Sequence, residues 1–297
     1  MTRIDLHTHS SVSDGTEPPA EVAARARAAG VDVFALTDHD TAAGLEEAAA
    51  ALPPGLTLVP GMELSCAYRG ASVHLVCYLF DPEAPSLAAE LHRIRDDRVN
   101  RAKEMVRLLR EAGVEVTWEQ VRDIALNGGG DDGDLEAGVV VGRPHIARAI
   151  VAAGAAADVQ DAFDRWIGSG GPAYASRYAL DPVRAVRAVR EAGGVCSLAH
   201  PARAEGMLTG AVPVDLAERM ARAGLGGIEA DHPSHDEAEA ERWRGIARDL
   251  GVAVTGSSDD HGALTGHRIG ARTTAPEEFA RLIEPATGAA PVTGRAG

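Results

Sequence analysis

One repeated pairing limits what this chain can fold into more than any other feature. Short apolar runs alternate with helical patterns, and the runs end on imidazole or carboxylate groups. The runs are RIDLH, VDVFALTDHD, LTLVPGMELS, SVHLVCYLF, GVCSLAHP, GGIEADHP and GVAVTGSSDDHG. Between the first two lies PPAEVAARARAAG, a helical stretch with proline at its start and Gly30 at its end. VDLAERMARAGLGG precedes the sixth run and EAEAERWRGIARDLG the seventh. This order predicts parallel strands with helices outside them. Seven strand candidates predict an α/β fold, a closed or nearly closed barrel.

Residues 85–189 break the alternation with a run of helical patterns, from Pro85 to Glu111 and on through RPHIARAIVAAG to DPVRAVRAVREAG. They are expected to form a helical insertion between strands four and five, its last helix rejoining the barrel. The barrel domain is then 1–84 with 190–284. NGGGDDGDLEAG (127–138) has the composition of a flexible acidic loop, and residues 285–297 that of a frayed tail.

Aromatics are 4% of the 297 residues, so the core must be built from Val, Leu, Ile and Ala. A net charge of −15 argues against a broad basic face for long nucleic acid. It leaves room for a small phosphorylated substrate, because bound metal ions can supply positive charge. Cys66, Cys77 and Cys196 form no CxxC pair and lie in apolar runs, as expected of buried residues in a reducing, cytoplasmic setting. The polar start does not resemble a signal peptide, and no run of about 18 apolar residues predicts a membrane span.

Most of the 11 histidines fall at strand ends. His7 and His9 end strand one, and Asp14 returns on the next loop. Asp38, His39 and Asp40 end strand two, and Glu63 ends strand three. His74 lies in strand four, and His200 ends strand five. Glu229, Asp231 and His232 end strand six; Asp259, Asp260 and His261 end strand seven. In a parallel barrel all strand C-termini share one face, so these groups converge. His7 and His9 are two apart, and both are expected to reach inward at a strand end that is bulged or curls over the mouth. Taken singly, HxH also fits capping histidines, TDHD a helix N-cap and AHP a turn. Seven ligand-bearing strand ends together have no such structural explanation, since unpaired polar groups near a core are costly. Imidazole and carboxylate without thiolate suit Mn²⁺, Fe²⁺ or Zn²⁺. The ligands outnumber the needs of one ion; two or three ions bridged by a carboxylate is the expected count.

At DLHTHSSVSDG, ALTDHD, PGMELS followed by His74, LAHP and GSSDDHG the sequence resembles the polymerase and histidinol phosphatase (PHP) phosphoesterases. GRPHIARA (142–149) and GIEADHPSH (227–235) resemble the subgroup acting on nucleoside 3′,5′-bisphosphates and on 5′ ends of short RNA. The resemblance implies a distorted (β/α)7 barrel with a trinuclear metal site. It implies one metal on His7, His9, Glu63 and Asp259, a second on Glu63, His74 and His200, and a third on Asp14, His39 and His261. Ala202 departs from the glycine that often follows the HP of strand five, and the acidic glycine loop is longer than usual.

Close cations suit in-line phosphoryl hydrolysis, with Asp38 and His200 as candidates to protonate the leaving group. Arg98 falls on the apolar stripe of the first insertion helix, as a snorkelling side chain or, with Arg101, as an anion ligand over the barrel mouth. Arg143 and His145 open a helix, a place that favours phosphate. His232 and His235 follow strand six and are either loop residues or substrate contacts. The expected substrate is a nucleoside 3′,5′-bisphosphate or a short 5′-phosphorylated RNA. The competing readings are a histidinol-phosphate phosphatase, an amidohydrolase and a non-catalytic metal-binding module. The insertion and GRPH disfavour the first. An amidohydrolase commonly bridges two metals with a strand-end lysine, and the sole lysine, Lys103, lies mid-helix. The full ligand set disfavours the last.

Overall fold

The apolar runs become strands and the helical patterns helices in a computed structural model that describes residues 2–127, 140–203, 205–206 and 211–295. In chain order these are β1 (Ile4–Thr8), α1 (Pro19–Ala28), β2 (Val33–Leu36), α2 (Leu45–Ala50), β3 (Thr57–Tyr68) and β4 (Ala71–Tyr78). Next come α3 (Pro85–Glu111), α4 (Trp118–Asn127), α5 (Arg143–Ala152), α6 (Val159–Ala162), which runs into a π-turn over Phe163–Ile167, and α7 (Pro182–Glu191). The chain closes with β5 (Val195–Leu198), β6 (Glu205–Gly206), α8 (Val214–Ala223), β7 (Gly227–Asp231), α9 (Glu237–Leu250), β8 (Ala253–Gly256), α10 (Pro276–Ile283) and β9 (Val292–Thr293).

The sheet runs β1-β2-β3-β4-β5-β7-β8. A parallel bridge from Thr8 to Asp260, just past β8, brings the last strand back to the first and nearly closes the barrel. Inward residues Ile4, Leu6, Ala35, Val59, Val76, Tyr78, Val195 and Ala253 pack in one cluster. The alternate residues Phe34, Leu36 and Leu58 pack outward under Val22, Ala23 and Ala26 of α1 and Ala48 of α2. This is the period of two that an extended chain imposes. Gly61 lies inside the barrel, where a Cβ would sit 2.9 Å from the Cys77 carbonyl and from Thr37 Cγ2.

The all-parallel expectation fails at β4, which is antiparallel to both β3 and β5. Only Arg69 and Gly70 join β3 to β4, with φ of 49° and 78°, a two-residue hairpin turn that leaves no room for the crossover a parallel pair needs. The reversal places His74, early in β4, beside the ends of the parallel strands. Glu63 likewise does not end β3. It stands mid-strand opposite His39, and β3 runs on into the hairpin.

Helices α3 to α7 lie between β4 and β5. The boundary between two cores falls inside α3. Leu87, Leu91 and Ile94 belong to the barrel-side core, whereas Ala102, Met105 and Leu109 pack with Ile146, Ile150 and Ile167. Residues 128–139, which hold most of the expected acidic loop, lie outside the described residues. The expectation of a frayed tail over 285–297 does not describe residues 285–295; 296–297 lie outside the described residues. Thr287 N–H donates to the Gly193 carbonyl at 2.7 Å, Ala289 N–H to that of Leu79 at 2.7 Å, and β9 pairs with β3 at Leu58. These backbone bonds tie the segment across the base of the barrel.

Candidate metal centre

The pairing of β1 with β2 shifts by one residue between Asp5 and Thr8. Ile4 and Leu6 face inward before the shift, and His7 and His9 face inward after it. Alternate residues share a face in any strand, so the extra residue serves to switch the inward face from Ile4 and Leu6 to His7 and His9. The following loop, Ser10 to Asp14, is held by Asp38, which accepts from Ser10 N–H at 2.8 Å, Ser10 Oγ at 2.6 Å and Ser13 Oγ at 2.6 Å. At three other strand ends a non-glycine residue takes positive φ: Asp40 at 56°, His200 at 27° and Asp259 at 48°. Such backbone is strained and persists where surrounding bonds fix it. His200 N–H is fixed by Glu229 at 2.8 Å.

Glu63 is the centre of the cluster. Its Oε2 lies 3.1 Å from His7 Nε2, 3.2 Å from His9 Nε2 and 3.2 Å from His39 Nδ1. Its Oε1 lies 2.6 Å from His74 Nδ1 and 3.0 Å from His200 Nε2. Asp259 Oδ1 is 3.5 Å from His7 and His9 Nε2. Asp14 faces His261 Nε2 at 3.3 Å and His39 Nε2 at 3.6 Å. Ligand atoms therefore gather in three overlapping groups: His7, His9, Glu63 and Asp259; His9, Asp14, His39 and His261; and His39, Glu63 and His74. His7 Nε2, His9 Nε2 and His39 Nδ1 are buried and make no hydrogen bond. Three orphaned imidazole nitrogens turned toward one carboxylate oxygen fit divalent cations and fit poorly any purely hydrogen-bonded core.

Burial disfavours charge on Glu63, Asp14, Asp259 and His9, and the opposite charges around them outweigh it. Glu63, Asp14 and Asp259 are held well below the usual carboxylate range by the histidines. His9 is pushed up to about 10 by Asp259 and Glu63, against burial. Burial instead brings His39 down to about 3. In the metal-free protein at pH 7 His9 is therefore protonated, and a metal must displace that proton. His7, in the same ligand group, is likewise raised well above its ordinary value by Glu63 and Glu229, against burial, so metal affinity should rise with pH through the neutral range, with protons released from both histidines as an ion binds. Calorimetric Mn²⁺ titrations in buffers of different ionisation enthalpy measure this; binding without proton release would contradict it.

Glu229, seen in the sequence only as a strand-end acid, is a supporting carboxylate. Its Oε1 accepts from His7 Nδ1–H at 3.0 Å and from Ser257 Oγ, and its Oε2 from His200 N–H. Burial would raise its pKa, but His7 holds it at about 2. This bond fixes the His7 tautomer that leaves Nε2 bare for a metal. All its partners are donors, so Glu229→Gln would turn an amide N–H against one of them. We expect metal affinity to fall roughly ten- to a hundredfold, read as the Mn²⁺ dissociation constant. An unchanged constant in a folded variant would mean that His7 is oriented without Glu229.

All nine expected ligands thus stand together at the barrel mouth; the other expected site residues divide. Asp38 lies behind the Ser10–Asp14 loop with its oxygens occupied, and it lines neither cavity at the mouth, so it is misplaced for proton transfer. His200 lines the metal-side cavity. Buried His145 accepts Gly142 N–H at 2.9 Å and bonds the Ser13 backbone, tying the insertion to the metal loop; burial holds it neutral, at about 4. His232 Nε2 holds Asp259 Oδ2 at 3.1 Å. His235 bonds Ala230 O and Ala202 N–H and supports the turn after β5. Arg98 is committed to buried Asp40, with Nε 2.7 Å from Oδ2, and to Ser65 Oγ at 2.8 Å. Arg101 donates to the Ala175 carbonyl at 2.7 Å with its guanidinium over Tyr174, and Arg143 lies over Phe163.

Two cavities open here. One, of about 260 Å³, is lined by Glu63, His200, Asp259 and His261. The other, of about 270 Å³, is lined by Arg98, Arg101, Arg143 and Arg177. Both are walled by His39, Ser72 and His74. Arg177, missed in the sequence, donates to Ser72 Oγ at 2.7 Å. Burial and the neighbouring arginines lower Arg101 to about 9 and Arg177 to about 10. A crowded, partly dehydrated set of guanidinium groups of this kind favours an anion. Lys103 stacks over Trp118 in the insertion, away from the ligands.

The PHP domain family matches residues 5–167. A 3′,5′-nucleoside bisphosphate phosphatase of Chromobacterium violaceum is 34% identical over 300 residues, covering 96% of this chain and all of that one. A 5′-3′ exoribonuclease of Haemophilus influenzae is 36% identical over 202 residues, covering 68% of this chain and 69% of that one. A solved structure from Bifidobacterium adolescentis, named as a candidate metal-dependent phosphoesterase, superposes with a TM-score of 0.86 at 29% identity, covering 96% of this chain and 97% of that one.

Proposed function

Because the chain belongs to the PHP domain family and is a metal-dependent phosphoesterase of that type, we propose that it hydrolyses a nucleoside 3′,5′-bisphosphate to the nucleoside 5′-monophosphate. The observation that carries this reading is the shared wall: a carboxylate–imidazole cavity and an arginine cavity meet at His39, Ser72 and His74. Two phosphates on one nucleoside can occupy the two at once. The C. violaceum relative, by its name, acts on such a molecule.

Two or three divalent ions, Mn, Fe or Zn, would be held by His7, His9, Asp14, His39, Glu63, His74, His200, Asp259 and His261. When bound they lower the pKa of water and neutralise phosphate oxygens. The chain's own groups do the rest. Glu63 joins the ligand groups, and Glu229 and His232 orient His7 and Asp259. Arg101, Arg143 and Arg177 grip the phosphate that is not cleaved. Arg98 acts through Asp40 and fastens the insertion to the barrel. His200 serves as a ligand in preference to a proton donor, since its Nε2 faces Glu63. Free, buried Cys66, Cys77 and Cys196 support a cytoplasmic setting.

Histidinol phosphate carries one phosphate and would leave the arginine cavity empty. With Mn²⁺, kcat/KM for a nucleoside 3′,5′-bisphosphate should exceed that for histidinol phosphate by roughly tenfold or more, from charge-assisted contacts. Equal values would sink the two-cavity reading. A short 5′-phosphorylated RNA is the second candidate substrate, and a separate basic groove bears on it.

A further inference from the structure

Between α7 and α8 lies a groove of about 470 Å³ lined by Arg184, Arg187, Arg219 and Arg222, with Asp181 the acid among its lining residues. All four arginines are exposed. Their compensation is thin. Arg184 reaches Glu90 and Arg222 reaches Glu218, each at 3.6 Å, and Arg219 donates to the Tyr68 hydroxyl at 3.3 Å. The Asp181 carboxylate is already used, capping α7 through Val183 and Arg184 N–H at 3.0 and 3.1 Å. In a chain of net charge −15, gathering four like charges on two facing helices works against stability unless an anion joins them.

The groove also has an address. Arg177 lines the arginine cavity beside the metal ligands, and Asp181, four residues on, lines the groove. Four residues span at most about 14 Å. A second link runs through the β3–β4 hairpin. Ala67 lines the arginine cavity and donates to the Leu180 carbonyl at 2.9 Å, and its neighbour Tyr68 takes the bond from Arg219. The two basic surfaces therefore flank one hairpin tip.

We propose that this groove holds the phosphodiester backbone of a short single-stranded oligonucleotide whose terminal phosphate lies at the metal centre. The inference rests on the phosphoesterase reading above and adds a second contact region to it. Guanidinium forks suit phosphate oxygens, and a strand of a few nucleotides covers the distance, within the usual size of a single-strand site. The negative net charge supplies little long-range attraction, so binding comes from these local contacts and is confined to short strands.

The test uses the full chain without metal, so that nothing is cleaved. Binding of 5′-phosphorylated RNAs of two, four and eight nucleotides, labelled at the 3′ end, is followed by fluorescence anisotropy. The wild type is compared with the Arg187→Glu/Arg222→Glu double variant and with the milder Arg187→Gln/Arg222→Gln. Wild-type affinity should rise about tenfold or more with length. The Glu variant should lose that gain and the Gln variant most of it. For the Gln variant the salt slope for the eight-nucleotide RNA should fall by about 1.4, or about 0.7 per lost contact. Affinity independent of length in the wild type, or a length gain retained in both folded variants, overturns the proposal. So does a Glu-rich peptide that displaces the eight-nucleotide RNA at equal concentration, because the groove would then recognise acidic chains in general. Failure to hydrolyse a nucleoside bisphosphate would overturn the function proposed above and leave this binding result standing.

Discussion

Replacing Glu63 by Gln is expected to strip the protein of metal and of turnover together. Five imidazoles come within 3.2 Å of this one buried carboxylate, and it belongs to two of the three ligand groups. An amide keeps the shape and loses the charge that lets one side chain serve two cations. Groups that merely orient a ligand typically cost ten- to a hundredfold when removed; a shared ligand should exceed about a hundredfold in kcat/KM. Elemental analysis of the purified variant and its hydrolysis rate with added Mn²⁺ give the two readouts. Full metal content in an inactive variant would show that Glu63 is not a ligand, and its role would then lie with the reacting phosphate.

The second large effect is on selectivity. Arg143→Ala and Arg177→Ala each remove a cation from the arginine cavity that adjoins the carboxylate–imidazole cluster at His39 and His74. A charge-assisted hydrogen bond contributes about 1.5–3 kcal/mol. The ratio of kcat/KM for a nucleoside 3′,5′-bisphosphate over a simple aryl phosphate should therefore fall roughly ten- to a hundredfold. The aryl phosphate has no second anion and serves as the internal reference. Equal losses on both substrates would assign these arginines to the cleaved phosphate or to the fold.

Much of this site was legible in the sequence because most of its imidazole and carboxylate groups were written at the ends of apolar runs, where a barrel brings strand ends together. HTH needed no bulge to bring its two histidines together, since alternate side chains share a face in any strand; the shift between Asp5 and Thr8 instead moves the inward face from Leu6 to His7. Legibility ended where local pattern does not determine direction. In TDHD, three neighbouring polar residues take three jobs. His39 turns to Glu63, Asp38 braces the preceding loop, and Asp40 pairs with Arg98. Nothing in their spacing assigns them. Arg98 was recognisable as a charge on an apolar stripe, but its partner lay 58 residues away. His145 and His235 have the residue type of a site and the bonds of a brace. Arg177 stands in an aperiodic stretch, YASRYAL, that marks no helix or strand. Residues 286–295 are mostly small and rich in turn formers, and what orders them is backbone pairing to Gly193, Leu79 and Leu58, which carries no side-chain signature.

The measurement closest to the central claim is the fate of adenosine 3′,5′-bisphosphate with the metal-stripped and the Mn²⁺-reloaded protein, followed by phosphorus NMR. The reloaded enzyme should release one equivalent of inorganic phosphate and leave adenosine 5′-monophosphate, and the stripped protein should do neither. Loss of the 5′-phosphate instead, or hydrolysis that survives removal of metal, would contradict a centre that cleaves one phosphate at the carboxylate–imidazole cluster while arginines hold the other.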